Sequence, residues 1–180
     1  MKAKSFAVPS SALSPDGYII NQGLLRSVSF GRYTAADCGC GWISAYNLLH
    51  FLTGTRDMET ICRDVEKYVV LRGRLGVNFL GLWWYLHHRR GCRFRLTLTR
   101  WGTERVCSRR KAPCGIMLYF HRHGAHYITF VPGSDHSLRY LNLVYGRACD
   151  ERPLKDVFRA HVLLPLTPTL IYLGPTRRAS

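Results

Sequence analysis

The apolar residues of this chain change period once, near Gly91, and that change limits the fold more than any other feature. Before it the spacing is helical. Trp42 to Phe51 is apolar on most faces, as a buried helix requires, and stops at Gly54. Thr55 and Asp57 can cap a second helix whose apolar positions, Met58, Ile61, Cys62, Val65, Tyr68 and Val69, recur at intervals of three and four. Asn78 can cap a third, F-L-G-L-W-W-Y-L-H-H-R-R, which ends at Gly91. After Gly91 the period is two. Arg93 to Arg100 alternates strictly, with Phe94, Leu96 and Leu98 on one side. Gly115 to His121 reads as a second strand, and Ala125 to Val131 with Leu138 to Tyr145 as a hairpin around P-G-S-D. Helices first and antiparallel strands second is an α+β order, not the alternation of a parallel α/β sheet.

Composition sets the scale. In 180 residues, 47% are hydrophobic and 21% charged, a globular balance sufficient for one core without disulfides. We expect one domain over residues 18–174, a flexible arm over 1–17 carrying Pro9, Pro15 and Gly17, and a tail over 175–180. No stretch approaches the roughly 18 apolar residues of a membrane helix. The two N-terminal lysines precede no apolar run of a secretory signal. Seven cysteines, an odd number, then suit reduced thiols in a cytoplasm better than a disulfide framework.

One of those thiols stands in a distinctive place. In D-C-G-C-G-W-I-S-A-Y-N, Asp37 to Asn47, Cys40 lies in a glycine-containing turn directly before the buried helix. Helix-terminal N–H groups and the macrodipole favour a thiolate there. Flanking glycines allow close approach of a substrate, and the backbone N–H groups of Cys40 and Gly41 can stabilise an oxyanion. A thiol nucleophile needs a base, and the base needs an orienting partner. His126 in G-A-H-Y-I-T-F and Asn142 in Y-L-N-L-V-Y-G fall on neighbouring strands. His126, Ile128 and Phe130 share one face, as do Tyr140, Asn142 and Val144.

The order Cys, His, Asn, with F-G-x8-C-G-W-I-S-A-Y-N-L-L, G-A-H-Y-I-T-F and Y-L-N-L-V-Y-G, resembles the papain-like cysteine peptidase superfamily. Within it, residues 28–146 are similar to small bacterial papain-like proteins related to the peptidase domain that trims bacteriocin leaders. The resemblance implies a papain-like α+β fold and a thiol protease, a hydrolase acting on a peptide or protein substrate. Cys40 would be the nucleophile, His126 the general base and acid, and Asn142 the orienting residue. Two departures bear on this. Papain has tryptophan immediately after the nucleophile, whereas Gly41 intervenes here, and the C-G-C-G register keeps Cys38 as an alternative nucleophile. Thr34 stands six residues before Cys40 where the oxyanion glutamine is expected, and Gln22 is too distant in sequence to replace it.

Other readings compete. A lone cysteine is commonly a buried inert thiol, His126 could be a half-buried satisfied histidine, and any backbone group could partner Asn142. Zinc has ligand types available in Cys38, Cys40, His87, His88, Cys92, Cys107, Cys114, His121, His123 and His126. None shows paired knuckle spacing, so neither metal nor organic cofactor is expected. The net charge of +15 is concentrated between Arg89 and Lys111: Arg89, Arg90, Arg93, Arg95, Arg100, Arg105, Arg109, Arg110 and Lys111 face a single Glu104. The alternative function is therefore a catalytically silent papain-like adaptor binding nucleic acid or an acidic peptide through that segment. Trp101 offers a stacking surface within it. The bland reading is a solvated loop and an edge strand whose arginines resist edge pairing. The W-W-Y run, Trp83 to Tyr85, reads as helix packing.

Overall fold

The computed structural model of the chain describes residues 6–121, 124–134, 137–143, 149–161 and 164–176. Helices occupy the N-terminal half and a six-stranded antiparallel sheet follows them. Two short strands, β1 (Ser29–Phe30) and β2 (Tyr33–Thr34), lead into α1 (Ala35–Cys38) and α2 (Cys40–Thr53). Then come α3 (Met58–Glu66), α4 (Phe79–Trp84), β3 (Cys92–Thr99), α5 (Arg100–Cys107), β4 (Gly115–His121) and β5 (Gly124–Pro132). β6 (Leu138–Leu141), β7 (Cys149–Arg152), α6 (Leu154–His161) and β8 (Leu166–Pro175) complete the order.

The helix signals act where expected. Gly54 closes α2 in the left-handed conformation, with its N–H on the His50 carbonyl. Asp57 caps α3 by accepting from Thr60 N–H at 3.1 Å, and Asn78 caps α4 by accepting from Leu80 N–H at 2.8 Å. The turn after α4, Tyr85–Arg89, widens to a π-helix before Gly91 stops it. α2 is buried continuously from Cys40 to Leu49, so it forms the axis of the helical half. Burying each of Ile43 and Leu48 contributes about 1.5–3 kcal/mol.

The sheet runs β3-β8-β4-β5-β6-β7, so the last strand in sequence is inserted between β3 and β4. Alternation along β5 divides the core. Tyr127 and Val131 join the cluster around Trp42, Ile43 and Tyr46 of α2, whereas Ile128 and Phe130 pack with Met117, Tyr119, Tyr140 and α6 residues Val157 and Phe158. A hydrogen bond from Thr129 Oγ1 to the Ser44 carbonyl, 2.9 Å, fastens β5 to α2.

Three expectations are altered. The segment expected as a loose arm packs from Phe6 onward: Phe6 lies edge-on to Trp42, Ala12 is buried and Asp16 pairs with Arg139. Residues 1–5, and 177–180 of the expected tail, lie outside the described residues. On β3, the side expected to be apolar is largely open. Leu96 and Leu98 are 49% and 52% exposed, while Thr97 is buried. Register shifts against β8 and the return of α5 onto the Thr97 face explain this, with Thr97 bonded to Thr103 at 2.8 Å and Thr103 to Thr169 at 3.2 Å. Finally, β6 ends at Leu141, short of Asn142; Val144 lies outside the described residues.

Candidate active site

Cys40 is the first residue of α2. Thr34 and Asp37 form a capping box, the Thr34 hydroxyl donating to Asp37 at 2.7 Å and the Thr34 N–H at 3.2 Å, which fixes α1 immediately before it. Gly39 keeps right-handed dihedrals, so the chain passes almost directly from α1 into α2. The α2 ladder starts with Ile43 N–H on the Gly39 carbonyl at 3.0 Å, leaving the N–H groups of Cys40, Gly41 and Trp42 ahead of it.

The glycines beside Cys40 have a packing reason. A Cβ on Gly41 would lie 2.6 Å from Val77 Cγ2, and one on Gly39 would lie 2.4 Å from the Ala35 carbonyl oxygen. These positions are occupied by protein, so they do not serve the close substrate approach expected of them. Val77 is in turn held by the Tyr127 hydroxyl, which donates to its carbonyl at 2.9 Å.

Tyr127, the neighbour of His126, also meets the thiol directly: its backbone N–H faces Cys40. Burial nevertheless pushes the Cys40 thiol up, against the pull of the N–H groups of Tyr127, Gly41 and Cys40 itself. Desolvation therefore outweighs the helix terminus, and the neutral thiol is the resting form. Cys38 is placed differently. Its thiol donates to the carbonyls of Thr34 at 3.5 Å and Phe30 at 3.6 Å, and burial raises it to about 11. It is directed towards β1 and bound to main chain there.

His126 and Asn142 meet, but through a different atom from the one expected. His126 Nε2 is 2.7 Å from the Asn142 main-chain oxygen. A carbonyl only accepts, so Nε2 carries the proton and the lone pair of the neutral ring is on Nδ1. Burial lowers His126 to about 4; the Asn142 carbonyl opposes this and the charge of His121 adds to it. The Asn142 side chain is engaged elsewhere. Asn142 adopts a left-handed φ of 62°, which turns its amide towards Gln22. Its Oδ1 accepts from Gln22 N–H at 3.0 Å and its Nδ2 donates to Gln22 Oε1 at 3.1 Å.

Gln22 is the residue that sequence distance concealed. Its Nε2 donates to the Ala36 carbonyl in α1 at 3.0 Å, so one hydrogen-bonded chain runs His126–Asn142–Gln22–Ala36 to within four residues of Cys40. The chain before Gln22 is held by α2: buried Asn47 accepts from Ile19 N–H at 2.9 Å and donates to its carbonyl at 2.8 Å. Tyr46 donates to the Gly17 carbonyl at 2.8 Å. The motif's own Tyr46 and Asn47 thus hold the strand of chain that leads to Gln22. An asparagine in an apolar helix, in need of a polar partner, was the available signal.

The basic segment is divided by the fold. Arg90 binds the Tyr85 hydroxyl at 2.6 Å, with Arg89 beside it at the end of the π-helical turn. Arg93 and Arg95 are on β3, Arg100 lies over Trp101, and Arg105, Arg109, Arg110 and Lys111 lie along and after α5. Among the described residues no group of three His, Cys, Asp or Glu side chains is placed to hold a metal. No helix there is long and apolar enough to cross a membrane. Compared with family models, curated proteins and solved structures, the chain matches none.

Proposed function

We propose that the chain is a papain-like cysteine peptidase, or a related thiol acyl-transfer hydrolase, with Cys40 as nucleophile and His126 as base. The observation that carries the reading is the fixed tautomer of His126, held by the Asn142 carbonyl on a strand whose next residue, Tyr127, faces the Cys40 thiol. Because thiol and imidazole both rest neutral, proton transfer accompanies attack. The step requires the His126 ring, which lies beside Tyr119 on the Ile128–Phe130 face of β5, to reach the Cys40 thiol; the proton then passes to Nδ1 as sulfur bonds the carbonyl carbon. The tetrahedral oxyanion falls to the N–H groups at the start of α2. The imidazolium then protonates the leaving amine, and water releases the acyl group through the same base. Asn142 acts as a positioning residue through its main chain. The thiols of Cys38 and the other free cysteines suit a cytoplasmic setting for this chemistry.

The test is an electrophilic peptide ketone followed by mass-spectrometric mapping. Cys40 should be labelled before the other six cysteines. Labelling and peptide hydrolysis should disappear in Cys40→Ala and fall at least about a hundredfold in His126→Ala, while Cys38→Ala keeps both. Preferential labelling of Cys38, or hydrolysis surviving Cys40→Ala, overturns the reading.

A further inference from the structure

β3 ends the sheet, and among the described residues it is paired on one side only, with β8. Its outer edge therefore presents unpaired N–H and C=O groups, the feature that invites another strand. The two faces of that edge differ in chemistry. Leu96 and Leu98 lie on one face, with Leu173 of β8 also exposed nearby. Arg95 and Thr97 lie on the other, where α5 adds Arg105. A cavity of about 500 Å³ lies against β3 where it meets α5 and Leu173 of β8, lined by Arg95, Leu96, Leu98, Arg105, Arg109 and Arg110 among others. None of these four arginines has an ion-pair partner among the described residues.

We propose that this groove receives an extended acidic peptide as an additional strand beside β3. An incoming strand alternates its side chains between faces. Apolar residues at every second position would cover Leu96 and Leu98, and acidic residues between them would meet Arg95, Arg105 and Arg109. Main-chain hydrogen bonds hold the strand, and the alternation selects it. The same surface suits a single-stranded nucleic acid less well. Its lining holds no aromatic side chain, and the indole of Trp101 lies outside it with one ring face occupied by its own neighbour, Arg100, at 4.7 Å. The inference does not depend on the catalytic reading, because no residue of the groove belongs to the Cys40 site.

Binding is measured by fluorescence anisotropy on the full chain carrying Cys40→Ala, so that turnover plays no part. The probe is a labelled ten-residue peptide alternating glutamate and valine. Its controls are a block peptide of the same composition, the alternating peptide with every backbone nitrogen methylated, and a ten-nucleotide oligothymidylate. The alternating peptide should bind, and methylation should weaken it by about tenfold or more. The double variant Arg105→Glu/Arg109→Glu, with an unchanged melting curve, should weaken it by a similar factor, and added salt should weaken it further. Absence of binding overturns the proposal. So does equal binding of the block or methylated peptide, which would indicate charge attraction alone. Tighter binding of the oligothymidylate would make the groove a nucleic-acid surface instead.

Discussion

Acid should destabilise this fold through His126 in a narrow window, and the size of the effect can be calculated. An unfolded histidine binds its proton near 6.5, whereas burial holds the folded His126 down to about 4. Between those values the unfolded state carries the extra proton, so folding stability rises with pH there and is lost as pH falls. Above about pH 6.5 both states are neutral and the contribution is flat. The displacement corresponds to a loss of ~2 kcal/mol by about pH 5 and ~3 kcal/mol by about pH 4. Carboxylates titrate in the same range, so the measurement is a difference. Urea unfolding is followed by tryptophan fluorescence for the wild type and for His126→Gln, whose amide can still donate to the Asn142 carbonyl. The stability of the wild type relative to the variant should fall by those amounts as pH is lowered. An NMR titration of the His126 ring gives the folded value directly. A difference that stays flat from about pH 7 to 4, or a ring that titrates near 6.5, would refute the buried neutral imidazole.

Gly41→Ala should destabilise by about 1–3 kcal/mol, because its methyl group would lie within 2.7 Å of Val77 Cβ; a thermal melt reads the shift, and Val77→Ala should partly relieve it. Asn142→Ala should cost about 1–3 kcal/mol, through the lost Gln22 bonds and the left-handed backbone, yet leave the Nε2–H tautomer of His126 intact in ring ¹⁵N shifts, since the acceptor is main chain. Loss of that tautomer would return the orienting role to the side chain. On β3, Thr97→Val should cost about 1–2 kcal/mol by breaking the buried Thr97–Thr103 pair. Leu98→Thr should stay within about 0.5 kcal/mol in urea unfolding, the reverse of what strict alternation on that strand implies.

The parts of this molecule that local chemistry controls were readable from residue order. The caps at Asp57 and Asn78, the stop at Gly54 and the all-round burial of α2 depend on residues a few positions apart. The face of β3 was not readable, because its exposure depends on being an edge strand with shifted register and on where α5 folds back. α6, with Leu154, Val157 and Phe158 buried at spacings of three and one, and the insertion of β8 between β3 and β4 also escaped the pattern. Strand order is a long-range choice on which periodicity is silent.

The candidate site divides along the same line. Residue order alone placed Cys40 at the head of a buried helix and brought His126 and Asn142 onto adjacent chain segments. Tertiary structure decided which atoms meet. Cys40 is desolvated by burial in the folded core, which outweighs a helix terminus that by itself favours thiolate. Asn142 lies just past the last pair of β6, so its carbonyl and not its amide reaches His126. Gln22, eighteen residues before Cys40, comes back to α1 because Asn47 pins the preceding chain. Hydrogen bonds and desolvation depend on distance in space, and chain separation limits that distance only weakly once a core has formed.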